Sequence, residues 1–222
     1  MFNTSNTIMP LGLAMAVSTT ALGDMTGLSY DIVGEDLISG TYTVRLYANV
    51  EAGDTLTAVF GNSEFDLNIQ YLNGSTAYQN ALGGPTSMSI HTDAMPSNPS
   101  LEWDSFVTVG ALNSTGNELY EVGIDWASWE AGGNLFSNDG TWFALPTSGQ
   151  GESVNGRVLI AQLTQVHTSY YDVYFSAGFQ WVDASGVTHQ SGHSISIIPA
   201  PSAIAMLGLA GLAGQRRRRR IA

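Results

Sequence analysis

The chain has 222 residues, no Cys, no Lys and a formal net charge of −12 at pH 7. Without Cys there is no disulfide, no thiol nucleophile and no Cys-bound zinc. All 19 acidic residues lie between Asp24 and Asp183, where the only basic residues are Arg45 and Arg157, so that stretch carries a net −17 and repels nucleic acid and anionic lipid.

The length fits one domain plus targeting segments. Residues 1–23 read as a signal peptide: Ile8 to Val17 is a short apolar core, and Ala21 and Gly23 are small residues at the −3 and −1 positions of a cleavage site. Residues 24–197 form the exported body, and there the period is 2. Tyr42, Val44, Leu46, Ala48 and Val50 alternate with polar neighbours; Leu56, Ala58 and Phe60 continue the pattern, then Leu67, Ile69 and Tyr71. The clearest alternation is Tyr171, Val173, Phe175, Ala177, Phe179 and Trp181, and Val158–Leu159–Ile160–Ala161 suits a central strand. Turn residues separate these runs at Glu51–Asp54, Asn73–Gly74, Gly83–Pro85, Gly132–Gly133 and Asp183–Gly186. Only Trp126–Trp129 suits a helical turn, and no repeat of fixed period appears. The pattern predicts an all-β fold, an antiparallel β-sandwich of jelly-roll type with eight to ten strands.

Chemistry is sparse. His189 and His193 have zinc-ligand spacing for a helix but lie in a predicted strand, where they are expected to point outward about 13 Å apart, so no metal site is expected. His91 and His167 have no local acidic or nucleophilic partner. Gly151–Gly156 misses the nucleophile elbow, because Asn155 stands where a Gly belongs and the strand–turn–helix context is lacking. The only cofactor reading the acids leave open is low-affinity calcium at Glu35–Asp36 or Asn134–Gly140. Asp125, Trp126, Trp129 and Glu130, two acids bracketing two indoles, are the sugar-binding candidates; core filling is the competing use of those indoles. The Thr-x-Thr pairs Thr41–Thr43 and Thr55–Thr57 are too few for an ice-binding array.

Residues 198–222 are a sorting signal in outline. Pro199 and Pro201 break the backbone, and Ser202 to Gly214 is apolar and would span roughly 20 Å as a helix, less than a bilayer core. Arg216, Arg217, Arg218, Arg219 and Arg220 would hold the cytoplasmic side. The order of Pro199–Ala200–Pro201, apolar helix and arginine block resembles the PEP-CTERM sorting domain, also called the ice-binding protein C-terminal domain, with Ala200 where Glu is usual. That resemblance implies processing by an exosortase, a membrane transpeptidase-like enzyme that cuts near the triplet. The body, through Thr43–Ala48, Ala58–Gly61, Asp104–Gly110 and Val158–Thr164, looks like ectodomains that carry such tails, which implies no known reaction.

The expectation is therefore a non-enzymatic protein exported through the Sec translocon and transiently anchored by a short transmembrane helix. It would end at the cell envelope or outside the cell, with its biochemical activity unassigned, an envelope or matrix polysaccharide as a candidate partner and no nucleic acid. A carbohydrate-binding module is the alternative reading, ahead of a secreted hydrolase.

Overall fold

The computed structural model describes residues 25–166 and 173–197; the signal-peptide reading, His167, Tyr171, Pro199, Ala200, Pro201 and Arg216 to Arg220 all lie outside them. The short alternating runs separated by Gly, Asn and Asp turns become twelve strands among the described residues. In chain order these are β1 (Gly27–Glu35), β2 (Thr41–Asn49), β3 (Thr55–Phe60), β4 (Leu67–Tyr71), β5 (Thr76–Ala77) and β6 (Phe106–Val107). They continue with β7 (Leu119–Val122), β8 (Leu135–Ser137), β9 (Thr141–Ala144), β10 (Arg157–Val166), β11 (Val173–Val182) and β12 (Thr188–Ile197). The one α-helical turn among the described residues, α1 (Ala127–Glu130), falls on the Trp126–Trp129 segment.

The strands form two antiparallel sheets. In the first, β10 is central as its apolar run suggested: β2 lies on one edge with β1 beyond it, and the short β5 and β6 share the other edge. In the second, β11 pairs along its whole length with β12. Its other edge takes β3 and β4 end to end, which lead on to β9 and β7 and to β8. Val44, Leu46 and Ala48 of the first sheet meet Phe175, Phe179 and Trp181 of the second in one core, the arrangement of a β-sandwich. Among the described residues no helix is long and apolar enough to cross a membrane.

Three expectations need correction. Leu56, Ala58 and Phe60 do not share a face, because Trp181 pairs with Leu56 and Gln180 with Ala58, leaving Thr57 as a bulge. Leu56 and Val59 are therefore buried, while Ala58 and Phe60 turn outward. His189 and His193 do not point outward either. Each lies on the half-buried side of β12: His189 stacks on Trp181 at 5.5 Å and His193 sits 5.9 Å from Phe179. The strand count exceeds the expected range because β5, β6 and β8 are too short to show as alternation.

The outer faces of the two sheets differ. Residues 78–118, with 3₁₀ turns at Ser87–Ser89 and Pro99–Trp103, fold back over the first sheet. Thr43, Gln162 and Thr164 are outward by alternation yet fully buried under this cover. The Gln162 side-chain amide donates to the carbonyls of Glu102 (2.8 Å) and Asp104 (3.0 Å), and the Ser105 hydroxyl donates to the Thr164 carbonyl at 2.9 Å. Ile90, Leu101 and Phe106 form a small second core within the cover. The second sheet's outer face keeps large apolar side chains in solvent, among them Tyr120, Val122 and Phe136.

Candidate functional site

The bare face of the second sheet is the strongest candidate. Its seven strands carry a single carboxylate, Glu121, and no Lys or Arg. Glu121 pairs in register with the buried Trp142 and so takes the inner side, as His189 and His193 do. The outward side chains are thus uncharged, in a body where acids outnumber bases by 19 to two.

Two glycines organise this face. Gly178 of β11 and Gly192 of β12 are direct cross-strand partners. A Cβ on Gly178 would stand 2.5 Å from the Phe60 ring, and one on Gly192 would stand 2.3 Å from the Phe65 ring. The missing side chains make a notch in which both rings lie, 6.2 Å apart and edge to face. The rings form a ridge across the middle of the sheet.

A groove lies on each side of the ridge. The larger, about 450 Å³, is lined by Thr57, Phe60, Phe143, Gln180 and Gln190 among others. Gln190 Nε2 donates to Gln180 Oε1 (2.9 Å), Gln180 Nε2 donates to Thr57 Oγ1 (3.1 Å), and the Thr57 hydroxyl donates to the Gln180 carbonyl (3.0 Å). Each donor orients the next, so the amides are held before any ligand arrives. Tyr120 stacks on Phe143 at 5.5 Å beside this file. The smaller groove, about 360 Å³, is lined by Phe65, Asp66, Asn68, Tyr174, Ser176 and Ser194 among others. Gln70 Nε2 donates to Asn68 Oδ1 (3.2 Å), Asn68 Nδ2 to Ser176 Oγ (3.4 Å), and the Ser176 hydroxyl to the Asp66 carbonyl (3.1 Å).

The residues singled out from sequence lie elsewhere. Trp129 is wholly buried and offers no face to a ligand. Trp126 packs against it at 5.6 Å and against Trp142 at 6.4 Å, half-buried at the core's margin. Asp125 and Glu130 are exposed, and Asp125 Oδ1 accepts the Ala127 N–H at the start of α1. Burial raises the Glu121 carboxyl above its ordinary range, partly opposed by the adjacent Trp126 indole N–H. One helical turn thus sends its two indoles inward, while its acids stay in water.

The other candidates disperse as well. Asn134 Oδ1 accepts the Tyr71 N–H, Asp36 Oδ1 accepts the Gly40 N–H, and no three His, Asp or Glu side chains gather as metal ligands among the described residues. Ser153 in the Gly151–Gly156 loop donates to the Val50 carbonyl, and the buried Thr41, Thr43 and Thr57 expose no threonine array. Sequence reasoning missed Gln180, Gln190, Thr57, Asn68, Gln70 and Ser176. The available signal was the outward register of the β11 alternation, Tyr174, Ser176, Gly178 and Gln180, which is polar and without charge. No protein-family model matches the chain, and no curated protein matches it.

Proposed function

We propose that this is a non-enzymatic, exported β-sandwich protein, jelly-roll-like in its connectivity, that holds a neutral polysaccharide on the outer face of its second sheet. The observation that carries the sugar reading is the uncovered face, whose strands turn no charged side chain outward, with ordered amide files on both sides of the Phe60–Phe65 ridge. Sugar hydroxyls donate and accept, as side-chain amides and hydroxyls do, while aromatic rings take the apolar faces of pyranoses. A hydrolase would need two carboxylates flanking the scissile bond, and Asp66 is the only acid lining either groove.

The delivery half of the proposal rests on the tail: Pro199–Ala200–Pro201, the short apolar segment and Arg216 to Arg220, in that order. It makes an exosortase-type enzyme and the Sec translocon the processing partners, with the cell envelope or extracellular matrix as destination.

A glycan array followed by calorimetry on the hits tests the binding half. Replacing Gln180 and Gln190 together by Ala is expected to weaken binding at least tenfold, with Trp126→Ala leaving it unchanged. An array without hits, or a double variant that binds like the parent, ends the reading.

A further inference from the structure

The only two arginines of the acidic body, distant in sequence, line one cleft. It lies on the outer side of the first sheet, has a volume of about 330 Å³, and includes Arg45, Tyr47, Leu112, Glu152, Asn155 and Arg157. β2 turns Arg45 and Tyr47 outward between buried Val44, Leu46 and Ala48, and β10 begins at Arg157.

The counter-charges are unequally shared. Asp31 of β1 stands directly across from Arg45 in the strand register. Both its oxygens nevertheless go to Arg157, Nη1 donating to Oδ1 at 3.0 Å and Nη2 to Oδ2 at 2.5 Å. The Arg157 guanidinium also lies 3.9 Å from the centroid of the Tyr47 ring. Arg157 holds the Asp31 carboxyl below its usual range, so the pair stays ionised at neutral pH. Asp31, Arg157 and Tyr47 make a fixed wall of the cleft.

Arg45 is positioned but only partly neutralised, through space, by the Asp31 carboxylate. Its Nε donates to Gln162 Oε1 at 3.1 Å, and the buried Gln162 is itself tied to two backbone carbonyls of the cover. Among the described residues no carboxylate lies within ion-pair distance of Arg45. A guanidinium fixed through Nε keeps its two-nitrogen edge available for a second planar, bidentate partner.

We propose that this cleft is a second binding site, for a saccharide that bears a carboxylate, of the uronic-acid class. Arg45 takes the carboxylate through its terminal nitrogens. Leu112 and Val154, 39% and 68% exposed, give apolar surface to the ring's C–H face, and Glu152 and Asn155 at the rim meet its hydroxyls. The −17 body favours a ligand with one negative charge over a phosphate dianion or a polyanion. The site is on the opposite sheet from the neutral-glycan face and does not depend on that reading.

The test titrates the full chain with glucuronate, with glucose and inorganic phosphate as comparisons. Binding is read by calorimetry and by the NMR signal of the Arg45 Nε–H, identified by its contact with the Gln162 side chain. Glucuronate is expected to move that signal and to bind at least tenfold tighter than glucose or phosphate. Arg45→Gln should lose at least tenfold, while the Gln180→Ala, Gln190→Ala double variant keeps glucuronate binding. An unmoved Arg45 signal, or glucose or phosphate binding as tightly as glucuronate, overturns the proposal. The signal is read in the unsubstituted protein, so the proposal stays testable if Arg45→Gln does not fold; a folded Arg45→Gln that binds like the parent also overturns it.

Discussion

At the scale of single residues, Asp104 shows burial overriding hydrogen bonding. Its side chain is fully buried where the cover meets the core, and Oδ1 accepts the N–H groups of Asn80 (2.7 Å) and Ser105 (3.0 Å). Loss of solvent pushes its carboxyl up to about 7; the backbone N–H groups of Asn80, Ser105 and Gly84 pull it down, and nearby Glu130 adds to the rise. The folded protein therefore keeps this proton between about pH 4, where the unfolded chain loses it, and about pH 7. Stability from this group is full below that window and is lost as pH rises through it, by up to about 1.4 kcal/mol per pH unit. Urea denaturation of the parent and Asp104→Asn from pH 4.5 to 8 should show the parent losing stability relative to the variant up to about pH 7, then running parallel. A difference independent of pH would mean that Asp104 is ionised throughout. None of this was legible in the sequence, where Asp104 is one acid among 19. Trp126 and Trp129 mark the same limit: three residues apart in one turn, they look like a platform, and only the docking of that turn makes one of them core.

Among the elements, β11 was the most legible and is the most consequential. Its inward residues Val173, Phe175, Ala177, Phe179 and Trp181 were readable as one face, and all are buried. Its outward Gln180 went unread although the same alternation carries it, and Thr57 and Gln190, which orient it, come from two other strands. The Thr57 bulge escaped notice because a one-residue insertion shows only against its partner strand. The Gly178–Gly192 pair was equally silent, since cross-strand register is a product of folding. Gly178→Ala should cost about 1–3 kcal/mol, because its Cβ would stand 2.5 Å from the Phe60 ring and force that ring off the sheet. A lowered urea midpoint with unchanged strand content is the expected result; an unchanged midpoint would mean that Phe60 yields at no cost.

For the whole molecule, composition and layout carry the argument. Five of its seven basic residues sit in Arg216 to Arg220, so removal of the tail would leave a body far more acidic than the full chain. If the tail acts as proposed, replacing those five arginines by Ser should change the intact mass of the protein recovered from cells and its retention at the surface. The same mature mass and location in parent and variant would count against the sorting proposal. The asymmetry of the sandwich belongs to this scale as well. Residues 78–118 close part of one outer face, sealing Thr43, Gln162 and Thr164 beneath them and leaving the cleft of Arg45 and Arg157 open, whereas the other face is left to solvent.

The sequence by itself determined the all-β class, the inward faces of β2, β4 and β11 and the acidic body. These follow from local periodicity and composition, which need no knowledge of what lies opposite. Tertiary structure alone decided which outer face stays open, which indoles are core and which acid pairs with which arginine. Asp31 faces Arg45 in register yet binds Arg157, because a side-chain partner is chosen by three-dimensional geometry among strands that sequence separation keeps apart.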